Sequence, residues 1–396
     1  MMNFTLFGVG AAGNKAAIEV IESRVLAKEK VKLVNTTVKD IPGDYKDADN
    51  IIKFSSLLGG CGKEPNQGKR AMFQAIKEKT VDLSKYIDAD TRAVALVTSI
   101  EGGTGCGATP VIAKYFMALN IPVHVFAFVG FQDEARGINN SLQFFKNLPD
   151  NVILHTIENK KFLDYTKNYS KAEQEANREF ANQLNILIGS DMIPSNQNID
   201  DTDHYKLITT PGYMDIHAVD LTGCKNMELS NQAIIDSFES MTCMEYPYDK
   251  GCKRLAVIIN ASSKTQEAID NKFEVIKRYT GEPFEVYRHI QYDEDDGDEF
   301  MYIIAAGLPY PAGGILEMNK QYIILNDKLN KESSGFGNLF DDIDLDDDEE
   351  DTHINTMRNP DSVLNSFMLD DDDLAPRKAA TATVNATGKG NKVKEY

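Results

Sequence analysis

The chain has 396 residues, of which 42% are hydrophobic, and a formal net charge of −19 from 61 acidic and 42 basic side chains. That length suggests two domains rather than one, and the acidic balance argues against a body that grips nucleic acid directly. No apolar run nears the roughly 18 residues of a bilayer span, the start lacks a signal-peptide pattern, and the five cysteines and six histidines show no metal-ligand spacing. The expectation is a cytoplasmic protein with no structural zinc, no disulfides and no membrane insertion.

From Phe4 to Asn159, strand-like and helix-like runs alternate. "NFTLFGV", "VKLVNTT", "RAVALVTSI", "PVHVFAFVG" and "NVILHTI" read as strands. "NKAAIEVIESRVLA", "GKRAMFQAIKEKTVDL" and "PVIAKYFMAL", the last opened by Pro110, read as helices. Fully apolar strands between helices predict a parallel sheet covered on both faces, with ligands at the carboxyl ends of its strands. A long helix, "KAEQEANREFANQLNILIG", follows. "RLAVIINAS", "TQEAIDNKFEVIKRY", "FEVYRHIQY" and "FMYIIAAG" then suggest a smaller α+β domain. Acidic runs at Phe340–Asp351 and Leu369–Leu374 and a mildly basic end cannot bury enough apolar surface to offset ordering entropy. Everything after about Glu332 therefore reads as a disordered tail. Its short apolar island, "VLNSFML", is a candidate docking motif for an adaptor protein.

Three glycine-rich turns fall at the expected ligand edge: "GVGAAGN" from Gly8 to Asn14, "GGCGKEPNQG" from Gly59 to Gly68, and "EGGTGCG" from Glu101 to Gly107. Glycines let backbone amides approach an anion, and a helix start supplies free N–H groups. The second strand ends "VNTT" with no acid for a ribose, which counts against a dinucleotide site. No GxxxxGK[ST] is present, which excludes a P-loop enzyme. A polyphosphate site of another kind remains.

"EGGTGCGATPVIA" resembles the GGGTGSG signature of the tubulin/FtsZ superfamily, and "LITTPG" at Leu207–Gly212 is similarly close to FtsZ. The likeness implies an α/β fold in which a parallel-sheet GTPase domain is joined by the central helix to the α+β domain and then the tail. The expected bounds are 1–190, 191–325 (with an activation loop) and 326–396. It implies GTP as substrate, with Mg²⁺ as its companion ion. It places Gly8, Gly10, Ala11, Ala12, Gly13 and Asn14 in a first phosphate loop, and Gly60, Gly62 and Gly68 in a loop near the γ-phosphate. Gly102, Gly103, Thr104, Gly105, Cys106 and Gly107 form the signature loop, Arg136 a loop arginine, Asn159 the guanine reader and Phe180 a ring against the base. The chain departs from the pattern at Glu101 in place of a glycine, Gln132 in place of a glutamate, and Leu184 in place of a polar base contact, with Asn185 beside it.

In this superfamily the hydrolytic acid comes from the next subunit, through a loop after the central helix. Aligned on "LITTPG", that loop is "GYMDIHAVDL", so Asp220 falls at the catalytic aspartate, Asp215 at an asparagine and His217 at a second aspartate. A site shared between copies implies a head-to-tail homopolymer. The expected role is a plasmid or phage tubulin of the TubZ kind that positions or segregates DNA, because the first loop is a residue short and the chain begins directly at its first strand. A bacterial FtsZ-like division protein and a non-hydrolysing nucleotide-binding scaffold are the competing readings.

Overall fold

The computed structural model describes residues 2–46, 48–55, 59–189, 199–224, 226–261, 272–291 and 299–333. All described elements fall in a compact unit spanning Met1–Leu345. The expected tail, its acidic runs and its apolar island lie outside the described residues.

The first half builds β1 (Phe4–Val9), β2 (Val31–Asn35), β3 (Ile51–Lys53), β4 (Ala93–Ser99), β5 (Val123–Val129) and β6 (Ile153–Glu158). The second half adds β7 (Gly212–Asp220), β8 (Arg254–Asn260), β9 (Glu285–Gln291) and β10 (Phe300–Leu308). All ten share one sheet in the order β3-β2-β1-β4-β5-β6-β7-β10-β8-β9. The six strands of the first half pair in parallel. β7 continues parallel to β6 through Ile153–Gly212 and Leu154–Tyr213, and β10 runs antiparallel between β7 and β8. The sheet therefore has two opposed edges. The carboxyl ends of β1 to β7 share one, and their amino ends share the other.

Side chains alternate between two cores. Phe7, Val9, Val94, Leu96 and Val125 meet α2 (Pro65–Lys77), α3 (Thr104–Ala118) and α4 (Ala135–Asn147) on one face. Phe4, Leu6, Phe126 and Phe128 meet α1 (Gly10–Glu22) and α6 (Tyr169–Ile188) on the other. α5 (Asn159–Thr166), α7 (Asp201–Ile208), α8 (Met227–Glu239), α9 (Phe273–Thr280) and α10 (Ala312–Ser333) complete the described helices. α3 starts six residues before the position expected from Pro110, which lies inside it. The free N–H groups of the first turn thus belong to the glycine signature, and proline removes only one later backbone bond.

α6 carries positional information. Its 20 residues span about 30 Å. Its first residue, Tyr169, packs edge-on against Phe131, which follows β5, with ring centroids 4.6 Å apart. Its last, Ile188, accepts a backbone hydrogen bond from Met2, which precedes β1, at 2.9 Å. The helix thus runs from the carboxyl edge of the sheet to the amino edge.

Candidate functional site

The first and third glycine turns interlock at the carboxyl edge. Gly10 opens α1 at φ +78°, in the left-handed region, and a Cβ there would stand 3.0 Å from the Gly105 nitrogen. α1 and α3 therefore begin side by side. Most of the glycines are set by packing within the protein. A Cβ on Gly105 would collide with the Thr98 hydroxyl and lie 2.9 Å from the Val9 carbonyl oxygen. One on Gly107 would collide with the Pro65 carbonyl, and one on Gly13 with that of Val97. Gly8 is closed off by Ala17 at 2.7 Å, Gly68 by the Gly103 oxygen at 2.7 Å, and Gly103 by the Glu64 nitrogen at 2.7 Å. Gly60, Gly62 (φ +54°) and Gly102 have no protein atom within 4 Å of such a Cβ. With Gly59, which likewise meets nothing within 4 Å, these are the glycines of the three turns that leave the edge open. Ala11 and Ala12 lie exposed in the first turn of α1. Cys106 is buried with its thiol turned to the Asn140 carbonyl, and burial pushes that thiol up to about 12.

Buried polar atoms without partners concentrate at this edge. Among the described residues seven buried side-chain nitrogen or oxygen atoms lack a hydrogen-bond partner, and four of them belong to Asn14, Asn35 and Asn159. Such atoms are costly unless something satisfies them, so these carboxamides fit a polar ligand. Asn14 is 1% exposed, and both polar ends of its side chain lack a partner. Asn159 follows β6, and its Oδ1 is the orphan. Three strand spacings separate β1 from β6 in the sheet order, about 14 Å, which suits an extended nucleotide with phosphates at one end and base at the other.

Several expected contacts are placed elsewhere. Phe180 is fully buried and packs edge-on against Phe126 and Phe128, so its ring has no face to offer a base. It lies on the core stripe of α6 with Ala172, Ala176 and Leu184. Asn185, half-buried, is 16 residues beyond Tyr169, about 24 Å along the axis, which takes it away from the carboxyl edge. An exposed ring at this edge is Tyr169, 54% exposed beside Phe131. It went unnoticed because a lone tyrosine at a helix start carries no pattern. The Arg136 guanidinium donates to the Gly62 carbonyl at 3.1 Å and pairs with Glu64. That holds the second glycine turn rather than leaving a cation free at the edge.

The Glu101 carboxylate turns away from the open side of the signature loop. It fills the notch left by Gly130 and Gly137 and accepts from the Gln132 backbone N–H at 3.2 Å. Burial raises its pKa above the usual carboxylate value. Gln132 sits at φ +57°. Asn140 Nδ2 donates to both the Lys63 and Glu101 carbonyls, and Lys63 pairs with Glu134. The Glu101 carboxylate thus joins loops.

The largest correction concerns the expected catalytic loop. "GYMDIHAVD" is strand β7, paired with β10 from Tyr213–Leu308 to Asp220–Phe300. Asp215 is 4% exposed beneath α8. Its Oδ2 meets His217 Nε2 at 2.7 Å and accepts from the Tyr246 hydroxyl at 2.8 Å, while His217 Nδ1 lies 3.1 Å from the Ser237 hydroxyl. It belongs to a core network and touches no solvent-facing site. Burial opposes its charge, but His217, Tyr246 and Cys243 outweigh that and hold the carboxyl at about 2, against 3.8. Because the folded value is depressed, the stabilisation is full above about pH 4 and is lost as pH falls through about 2. Asp215→Asn should therefore flatten the acid limb of the stability curve, as read by urea titration between pH 5 and 2.

Asp220 is exposed, and its Oδ1 accepts from the Thr222 backbone N–H at 2.8 Å, capping the turn after β7. It ends a strand parallel to β6, so it lies at the same edge as the glycine turns. That is the edge opposite the one to which α6 runs.

What reaches the opposite edge is the start of α7. Asp200 caps it, accepting from the Asp203 N–H at 2.8 Å, with Asp201 and Asp203 in its first turn. Asp200 and Asp201 are exposed and Asp203 is half-exposed. His204 ties the helix to the end of α6 through the Leu187 carbonyl at 2.9 Å. The Arg92 guanidinium lies over the Tyr205 ring, and the Arg92 backbone N–H bonds Asn3 at the amino edge. Three carboxylates gain from the helix dipole there. A sequence signal existed, because "DDTD" opens with an N-cap residue and acids, but the "LITTPG" match drew the alignment past it. Among the described residues no three His, Cys, Asp or Glu side chains group as a metal cage, and no helix is long and apolar enough to cross a membrane.

Residues 3–167 match the profile described as "Tubulin/FtsZ family, GTPase domain". The cell division protein FtsZ of Mycoplasmopsis pulmonis is 24% identical over 318 residues, 77% of each chain. The tubulin-like protein CetZ of Pyrococcus horikoshii is 23% identical over 252 residues, 60% of this chain and 67% of that one. Among solved structures, a GTPγS-bound protofilament of CetZ2 from Haloferax volcanii has a TM-score of 0.65 at 18% identity, covering 82% of this chain and 100% of that one. The TubZ of Clostridium botulinum phage c-st has a TM-score of 0.63 at 17% identity, covering 83% and 98%.

Proposed function

We propose that the chain, whose residues 3–167 match the Tubulin/FtsZ family GTPase-domain profile, assembles head to tail and hydrolyses GTP at the contact between copies. The observation that carries this is the separation of two half-sites. Glycine turns and orphaned carboxamides lie at the carboxyl edge, and the Asp200–Asp203 acids lie at the amino edge, reached by α6. In this reading the N–H groups opening α1 and α3, with Thr104 and Asn14, hold the phosphates. Asn159 reads the base, and Tyr169 with Phe131 replaces Phe180 as the ring beside it. The acids of the next copy orient the attacking water. Phosphoryl transfer needs positioning and charge neutralisation above all, which a contact between two rigid edges supplies. Mg²⁺ would travel with the phosphates and offset their charge.

The CetZ2 structure, a GTPγS-bound protofilament, supports assembly by analogy. The finer role we propose is a filament that positions or segregates DNA through an adaptor held by the tail, resting on the short first loop; the FtsZ relative of M. pulmonis supports division as the second reading. Sedimentation tests assembly. GTP should drive the chain into the pellet and GDP should not, whereas identical pellets with either nucleotide would refute nucleotide-linked assembly. Tagged filaments tracking a replicon would support the DNA role, and a mid-cell ring would overturn it.

A further inference from the structure

We infer that Asn35 contacts the terminal phosphate and distinguishes nucleoside triphosphate from diphosphate. This rests on the nucleotide reading above and goes beyond it. Asn35 ends β2 and is 3% exposed. Its Oδ1 accepts from the Thr36 backbone N–H at 2.9 Å. An N–H can be met only by the carboxamide oxygen, so that bond fixes which end of the amide is which. The other end, Nδ2, is buried without a partner. It is a donor held in place by its own oxygen, with nothing in the protein to receive it.

Strand order says which part of a nucleotide would receive it. Asn159 follows β6, the signature loop follows β4 and the first glycine turn follows β1. β2 comes next along the sheet, beyond β1 on the side away from β6. A nucleotide with its base at Asn159 and its inner phosphates at the two glycine turns has only its last phosphate left to reach β2. The end of β2 also touches the signature loop, since the Thr36 and Thr104 hydroxyls lie 3.5 Å apart. A buried amide donor facing a phosphate oxygen makes a charge-assisted hydrogen bond. A diphosphate leaves that donor unmet, which costs affinity by the same logic.

Asn35→Asp is the direct test, because the carboxylate keeps an acceptor for the Thr36 N–H and replaces the donor with a negative oxygen. Asn35→Ser removes the donor without adding charge and stands in should the carboxylate prevent folding. Affinities for GTPγS and GDP are measured on the full chain below its assembly concentration, with thermal melts alongside. Both variants should lose about 10- to 100-fold in GTPγS affinity, the aspartate more than the serine, and under about twofold in GDP affinity. Equal losses for both nucleotides, or no loss for either, would overturn the assignment. An unaltered chain that bound neither nucleotide would instead overturn the nucleotide reading itself.

Discussion

The triple variant Asp200→Asn, Asp201→Asn, Asp203→Asn is expected to bind GTP like the unaltered chain and to hydrolyse it about 10²- to 10⁴-fold more slowly. Asparagine keeps the helix cap, because its Oδ1 can accept from the Asp203 N–H as Asp200 does. The Asp203–Lys206 surface pair is lost, but such pairs contribute at most about 1 kcal/mol. Fold and nucleotide binding should therefore survive, since the glycine turns lie at the other edge. Filaments should persist longer, because the contact no longer converts its own nucleotide. Asp220→Asn is the matched control and should leave turnover within about twofold while loosening only the turn that Asp220 caps. A reversed result, with turnover lost in Asp220→Asn and kept in the triple variant, would restore the alignment on "LITTPG" and remove the one built from α6.

Gly105→Ala should be strongly damaging, as should Gly107→Ala, whose Cβ would collide with the Pro65 carbonyl. A Cβ on Gly105 would be pressed against the Thr98 hydroxyl and the Val9 carbonyl, both in fully buried strands. Overpacking of that kind costs about 1–3 kcal/mol or more, so the urea midpoint should fall and nucleotide binding fail with it. Gly102→Ala meets no protein atom within 4 Å and should leave the midpoint unchanged while reducing GTP affinity, since any clash would be with the ligand. Equal midpoint losses in Gly105→Ala and Gly102→Ala would mean that the open and closed glycines have been confused.

The parallel sheet was legible because its strands are apolar on both faces and its glycines cluster where strands meet helices. The ligand edge was legible for the same reason. Phe180 misled because a phenylalanine on the inner stripe of a helix looks the same whether a base or Phe126 covers it. β7 was hidden because Asp215 and His217 break its apolar alternation, and only a three-dimensional contact reveals that they hydrogen-bond to each other within the core. The acids of α7 were passed over because their edge is set by the length and direction of α6. Glu101 looked like a charge at the phosphates, yet the two glycines that receive it, Gly130 and Gly137, lie some 30 residues on in the chain.

The rate of phosphate release per subunit, measured against protein concentration, tests the shared site most directly. A nucleotide held by one copy and an acid supplied by the next predict almost no turnover below a threshold concentration and a constant rate per added subunit above it, with GTP binding present on both sides of that threshold. A rate per subunit that is the same at every concentration would mean that each copy hydrolyses its own GTP, and would contradict the account.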